Sequence, residues 1–248
     1  MRLDLNADLG EGIGAEAEVI QLVSSASIAC GAHAGDAETI RLSLVRAKAN
    51  AVRVGAHPGF ADPAHFGRRR LVRTPAELTA EIEAQLSLFA RLADAAGVTV
   101  AYVKLHGALA NMAAEDEAVA KTAFRASRAV LGPVAILAMD GTAQVRAAEA
   151  LGLATIREAY ADRAYTDIGL LVPRDQPGAL LHDPALVLAR AIRLAEGRGL
   201  VSITGEVLPS RATSLCVHGD NAAAVALLHA LRRGLAEAGI AVSASDQA

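Results

Sequence analysis

Four times along this chain an apolar run ends in a histidine with glycine close by. The runs are Cys30-Gly-Ala-His33, Val54-Gly-Ala-His-Pro-Gly59, Val103-Lys-Leu-His-Gly107 and Cys216-Val-His-Gly-Asp220. Each run has the length and composition of a buried strand, and each is followed within a loop's reach by a stretch of helical period. The pattern continues between them. Strands are expected at Arg2–Leu9, Ala26–Cys30, Val52–Ala56, Val98–Leu105, Val134–Met139, Ala154–Glu158 and Ser214–Val217, with a short pair at Leu200–Ile203 and Val207–Leu208. Helices are expected at Ala37–Ala49, Thr74–Ala96, Asp116–Leu131, Thr142–Leu151, Pro184–Glu196 and Asn221–Ala238. Strand and helix alternating along a whole chain dictate an α/β fold with a mostly parallel sheet. Periodicity does not decide whether seven or eight such strands close into a barrel or stay open.

Helix punctuation agrees with this order. Asp36 is placed to cap the helix that opens at Ala37. Thr74, Pro75 and Glu77 have the spacing of a capping box with proline at the first helical position, and Gly97 is the stop. At 248 residues the chain matches the length of one large α/β domain. No composition break marks a linker, so one domain over residues 1–248 is expected. A net charge of −3 offers nothing to nucleic acid or an anionic membrane. No apolar run approaches the roughly 20 residues of a membrane span, and the start lacks a secretory apolar region. The two cysteines, Cys30 and Cys216, form no CxxC pair and read as reduced thiols of a cytoplasmic protein.

In a parallel sheet the carboxyl ends of the strands share one face, where ligands bind. His33, His57, His106 and His218 are therefore expected to converge, although one histidine after one strand is ordinarily structural. Other groups belong to the same face. Asn6, Asp8 and Glu11 follow the first strand, where Asp4, Asn6 and Asp8 alternate with Leu3, Leu5, Ala7 and Leu9. On an ordinary half-buried strand those polar groups would meet water. Lys104 lies two residues before His106, on the same side of its strand. Arg157, Glu158 and Arg163 follow a later strand, and Asp220 the last. Asp8 or Asp220 beside a histidine can activate water. Lys104 can act as a charge clamp or an acid, or serve only in a buried ion pair. Two histidines and a carboxylate can hold a divalent metal.

Several chemistries find no support. The glycines at 10, 12 and 14 have the wrong spacing for a dinucleotide fingerprint, and no Gly-Lys-Ser/Thr phosphate loop occurs. No serine sits in a nucleophile elbow. Cys30 has only His33 to favour a thiolate. The basic run Gly67-Arg-Arg-Arg70 can meet a phosphate or carboxylate but reads first as a solvated loop.

These residues resemble a known family. Asp4-Leu-Asn-Ala-Asp-Leu-Gly-Glu-Gly12, Ile28-Ala-Cys-Gly-Ala-His-Ala-Gly-Asp36, Val54-Gly-Ala-His-Pro58 with Phe66-Gly-Arg-Arg69, Val103-Lys-Leu-His-Gly-Ala-Leu109, Arg157-Glu-Ala-Tyr-Ala-Asp-Arg163 with Leu171-Val-Pro-Arg174, and Cys216-Val-His-Gly-Asp220 are similar to the LamB/YcsF family. The blocks run from first strand to last. Ala7, Leu105 and Ala110 stand where the family usually has Cys, Pro and Tyr. The resemblance implies an irregular seven-stranded (β/α) barrel, similar to the glycoside hydrolase and deacetylase type. It also implies opening of the lactam of 5-oxo-L-proline to L-glutamate with ATP cleavage, together with partner subunits B and C. On that reading Asp8, His33, His57, Lys104, His106, His218 and Asp220 are the catalytic candidates. Either Asp8 or a histidine takes the proton from water, and Lys104 with His106 stabilises the oxyanion. Asn6, Glu11, Arg157, Glu158 and Arg163 are the substrate-binding candidates, with Arg157 or Arg163 on the substrate carboxylate. ATP is a co-substrate, bound here or with a partner. Two further classes stay open: a metal-dependent deacetylase or amidohydrolase acting alone, and a non-catalytic substrate-binding subunit.

Overall fold

The computed structural model describes residues 1–13, 15–217 and 223–244. Its centre is a ring of seven parallel strands: β1 (Arg2–Leu9), β2 (Ser25–Ala29), β3 (Arg53–His57), β4 (Val100–Val103), β5 (Ala135–Met139), β6 (Thr155–Tyr160) and β9 (Ser214–Cys216). Neighbours pair in that order, and β9 closes the ring because it is bonded on both sides. Ser214 stands opposite Glu158 of β6 and Asp4 of β1, and Cys216 opposite Tyr160 and Asn6. The chain therefore forms a closed barrel, resolving the choice that periodicity left open. Between β6 and β9 a small antiparallel pair, β7 (Leu200–Val201) with β8 (Val207–Leu208), stands apart. A last short strand, β10 (Ala241–Val242), extends the sheet beside the start of β1.

The described α-helices are α1 (Glu16–Val19), α2 (Ala37–Ala49), α3 (Pro75–Ala96), α4 (Gly107–Glu115), α5 (Glu117–Leu131), α6 (Ala143–Ala150), α7 (Pro184–Ala195) and α8 (Ala223–Glu237), with one 3-10 turn at Pro63–His65. The expected caps are present. Asp36 accepts from the Thr39 N–H at 2.8 Å. Thr74 and Glu77 exchange both bonds of the capping box. Two elements were not legible. No helix is expected directly after His106, yet Gly107–Glu115 forms α4, with Gly107 at φ +53°. The two-residue β10 is too short to carry a period.

Most residues of the ring are buried, on both faces of their strands. Leu3, Leu5, Ala7 and Leu9 point outward into the main core with Ile28, Val54, Ala56, Val103, Leu215 and the helices. The alternate residues fill the lumen. One sector is apolar, with Tyr102, Ala135, Leu137 and Ile156 packed together. Gly55 is what admits Tyr102, since a Cβ there would lie 2.1 Å from the ring. The other sector is polar. Asp4 accepts from the Ser24 and Ser25 hydroxyls at 2.6 and 2.8 Å and from Ser214. Asn6 donates to Ser214 at 2.8 Å. The polar alternation of β1 therefore faces the barrel lumen, where an ordinary half-buried strand would face water. Its hydroxyl and carboxylate groups are satisfied by one another, as burial requires.

Candidate active site

Above that floor the strand ends hold a charged cluster. The Lys104 ammonium, 2% exposed, lies 2.8 Å from Asp8 Oδ1 and donates to Asn6 Oδ1 at 3.3 Å. Glu158 Oε1 is also 2.8 Å away, as an ion pair without hydrogen-bond alignment. Burial pulls the ammonium down, but Asp8 and Glu158 more than offset it, so Lys104 is held well above the ordinary lysine range. At neutral pH it is a fixed positive charge and not a base. The Cys216 thiol, 3.2 Å from Nζ, is pushed up by burial and stays neutral. Burial likewise pushes the Cys30 thiol up, which removes it as a nucleophile.

Three histidines form the opposite wall. His33 and His106 are stacked, with centroids 3.7 Å apart and planes 4° from parallel, and His57 meets both edge-on. Gly67 makes the stack possible, since a Cβ there would lie 2.8 Å from that of His33. A carbonyl oxygen only accepts, so the ring nitrogen facing one carries the proton. His57 Nδ1–H therefore donates to Lys104 O at 2.9 Å, and His106 Nε2–H to Phe66 O at 2.9 Å. His106 has no N–H left for an oxyanion, contrary to the expected role. Burial, with His57 and His33 adding to it, holds His106 well below the ordinary imidazole range. Burial also lowers His33, against the opposing effect of the hydrogen bond it donates to Glu11. Glu11 Oε1 is 3.3 Å from His33 Nε2 and 3.5 Å from His106 Nδ1. Donor atoms of Glu11, His33, His57 and His106 all lie within 4.8 Å of one another. Asp8 joins the two halves of the site, with Oδ2 3.4 Å from His57 Nε2.

The cluster opens into a cavity of about 440 Å³ lined by Asp8, Glu11, His57, His106, Tyr160 and Arg163, and roofed by the loop from Leu170 to Asp175. Arg163 is buried and donates to Val172 O at 2.7 Å, while its Nε has no partner. Burial, and then the neighbouring Arg174, lowers this guanidinium, an environment that an anion would relieve. Arg157 is elsewhere. It sits on the outward register of β6, bound to Asp140 at 2.9 Å and Glu149 at 2.8 Å. Of the two arginines expected on the substrate, the fold brings only Arg163 to the cavity. Asn6 and Glu158 lie in the lumen as partners of Lys104. His218 and Asp220 lie outside the described residues. The basic run is partly spent on ion pairs, Arg69 with Asp62 and Arg70 with Glu115, although Arg68 and Arg70 line the cavity. Tyr160 and Arg174 were missed as lining residues. Tyr160 shares the inward register of Glu158, so strand parity was the signal for it.

The LamB/YcsF family profile matches residues 3–248. The chain belongs to the LamB/YcsF family. A relative from Streptomyces griseus, named as the A subunit of 5-oxoprolinase, is 44% identical over 247 residues, covering 98% of this chain and 99% of the relative. The crystal structure of a lactam utilization protein from Thermus thermophilus superposes with a TM-score of 0.91 at 36% identity, over 99% of this chain and 100% of that one. A GH18 chitinase from Pseudoalteromonas aurantia reaches a TM-score of 0.52 at 9% identity, covering 94% and 100%. That last likeness concerns the barrel alone. Among the described residues of this LamB/YcsF member, no helix is long and apolar enough to cross a membrane.

Proposed function

We propose that this chain is the A subunit of an ATP-dependent 5-oxoprolinase, opening the lactam of 5-oxo-L-proline to L-glutamate in the cytoplasm together with subunits B and C. The observation that carries the reading is the buried Lys104 ammonium, held charged between Asp8 and Glu158 beside the cavity. The family relatives named for this activity support the substrate. A lactam is a poor electrophile because its nitrogen lone pair is delocalised into the carbonyl. ATP, handled by a partner subunit, phosphorylates the lactam oxygen and releases ADP. Water then adds to the activated carbon with Asp8 taking its proton, which is general base catalysis. The C–N bond breaks, the ring nitrogen takes up a proton, and γ-glutamyl phosphate remains. A second water releases phosphate and glutamate. Lys104 stabilises the negative charge that develops on oxygen as the tetrahedral adduct expels nitrogen and as the second water adds to the acyl phosphate carbonyl. Arg163 binds the substrate carboxylate, for which a guanidinium is suited by its forked geometry.

The reading is tested by measuring glutamate release from 5-oxo-L-proline and ATP with this chain alone and with its B and C partners. Release confined to the three-component mixture is expected. No release in any mixture would overturn the assignment. Within the active mixture, Arg163→Met is expected to raise KM by at least about tenfold with a smaller change in kcat. That is the loss of one charge-assisted contact, about 1.5–3 kcal/mol. An unchanged KM would remove Arg163 from the substrate.

A further inference from the structure

His57 and His106 are each oriented from behind by a backbone carbonyl, Lys104 O and Phe66 O, both at 2.9 Å. Their remaining nitrogens, His57 Nε2 and His106 Nδ1, carry lone pairs and face each other at 2.9 Å. The carboxylate oxygen Glu11 Oε1 approaches the same point, 3.5 Å from His106 Nδ1. The carbonyls take one N–H from each imidazole, so two ring nitrogens and a carboxylate oxygen are left converging on one point, as the ligands of a cation do.

We infer that this point is a binding site for a first-row divalent transition-metal ion, Zn²⁺ in the first instance, held by His57 Nε2, His106 Nδ1 and the Glu11 carboxylate. The donor set selects the ion, since imidazole suits zinc and its neighbours, whereas magnesium and calcium take oxygen ligands. Zinc bonds of about 2.0–2.1 Å place neighbouring tetrahedral donors about 3.4 Å apart. The observed separations of 2.9 and 3.5 Å bracket that value. Carbonyls behind both histidines are the usual support for metal-bound imidazole, fixing which nitrogen stays bare. Three protein ligands leave a fourth position, as in catalytic zinc sites. Here all three ligands line the cavity, so that position is open to water or substrate. His33 is a positioning residue. A proton on its Nε2 donates to Glu11 Oε1 at 3.3 Å, and its ring stacks on His106. The inference stands on these four side chains and does not depend on the lactam reading.

The test is binding, read without turnover. The chelator-stripped full chain is titrated with Co²⁺, followed by its visible ligand-field bands, and the bound ion is then displaced with Zn²⁺. Saturation at about one ion per chain with tetrahedral-type bands is expected. His57→Ala, His106→Ala and Glu11→Ala should abolish the bands. His33→Phe, which keeps a stacked ring and removes the donor, should keep the bands and weaken binding by about 10–100-fold. Absence of binding by the folded wild-type chain would overturn the proposal, leaving a shared proton between the rings. Binding that survives in the folded His57 and Glu11 variants would overturn it equally, because the ion would then lie elsewhere. Neither result bears on glutamate release, so the two readings fail separately.

Discussion

Lys104→Met is expected to lower coupled glutamate release by about 10²–10³-fold, the usual loss when one donor to a developing oxyanion is removed. The same substitution is expected to lower stability by about 3 kcal/mol, because it strands the buried Glu158 carboxylate, and Asp8 at the cavity wall, without their counter-ion. Asp8 and Glu158 both lie 2.8 Å from Nζ, and methionine fills the volume but offers no charge. The two effects can be separated. Adding Glu158→Gln removes one of the stranded charges and should recover about 1–3 kcal/mol, the size of coupling between contacting residues. Turnover should stay low in the double variant, since the positive charge is still missing. Urea unfolding followed by circular dichroism reads the first quantity, and reconstituted glutamate release the second. A folded Lys104→Met chain with full turnover would refute the catalytic role. A double variant that regains turnover along with stability would reduce Lys104 to a structural ion pair.

Much of this site could be read from residue order. A histidine placed directly after an apolar run can only sit at the carboxyl end of a parallel strand, and His33, His57 and His106 meet there for that reason. Lys104, two residues before His106, shares its side by simple strand parity. Other features needed the third dimension. Ring closure depends on β9, three residues whose pairing to both β6 and β1 leaves no mark in their composition. Arg157 and Glu158 are adjacent in sequence, yet the pleat of β6 sends one outward to Asp140 and Glu149 and the other inward to Lys104. The protonation of His106 is set by Phe66 O, which a distant loop supplies. That contact decides whether the ring can donate to an oxyanion, and no local pattern announces it. The polar face of β1 is ambiguous in sequence for a related reason. A period of two distinguishes the faces of a strand, but a closed lumen and bulk water present the same alternation.

Asp4 tests that last point directly. Asp4→Ala is expected to destabilise the chain by about 3–5 kcal/mol, as for breaking a buried charged network. Its carboxylate is 1% exposed and accepts from Ser24, Ser25 and Ser214 hydroxyls, with an Arg53 guanidinium nitrogen at 3.5 Å. Alanine takes that acceptor from the buried Ser25 and Ser214 hydroxyls, and from Ser24 at the rim. Asp4→Asn keeps the shape and one acceptor oxygen but turns the other into a donor, so an intermediate loss is expected. The register makes the functional prediction the opposite of that for Lys104. Four residues separate Asp4 from Asp8, about 13 Å along a strand, so the floor of the lumen does not touch the cavity. Asp4 variants that remain folded at low temperature should keep kcat within about twofold, a change of under about 0.5 kcal/mol in the barrier. A solvated edge strand would behave otherwise, with Asp4→Ala close to neutral in urea, as substitutions away from buried features generally are. A midpoint unmoved from wild type would therefore contradict the buried polar floor of the lumen, and with it the account of why β1 alternates.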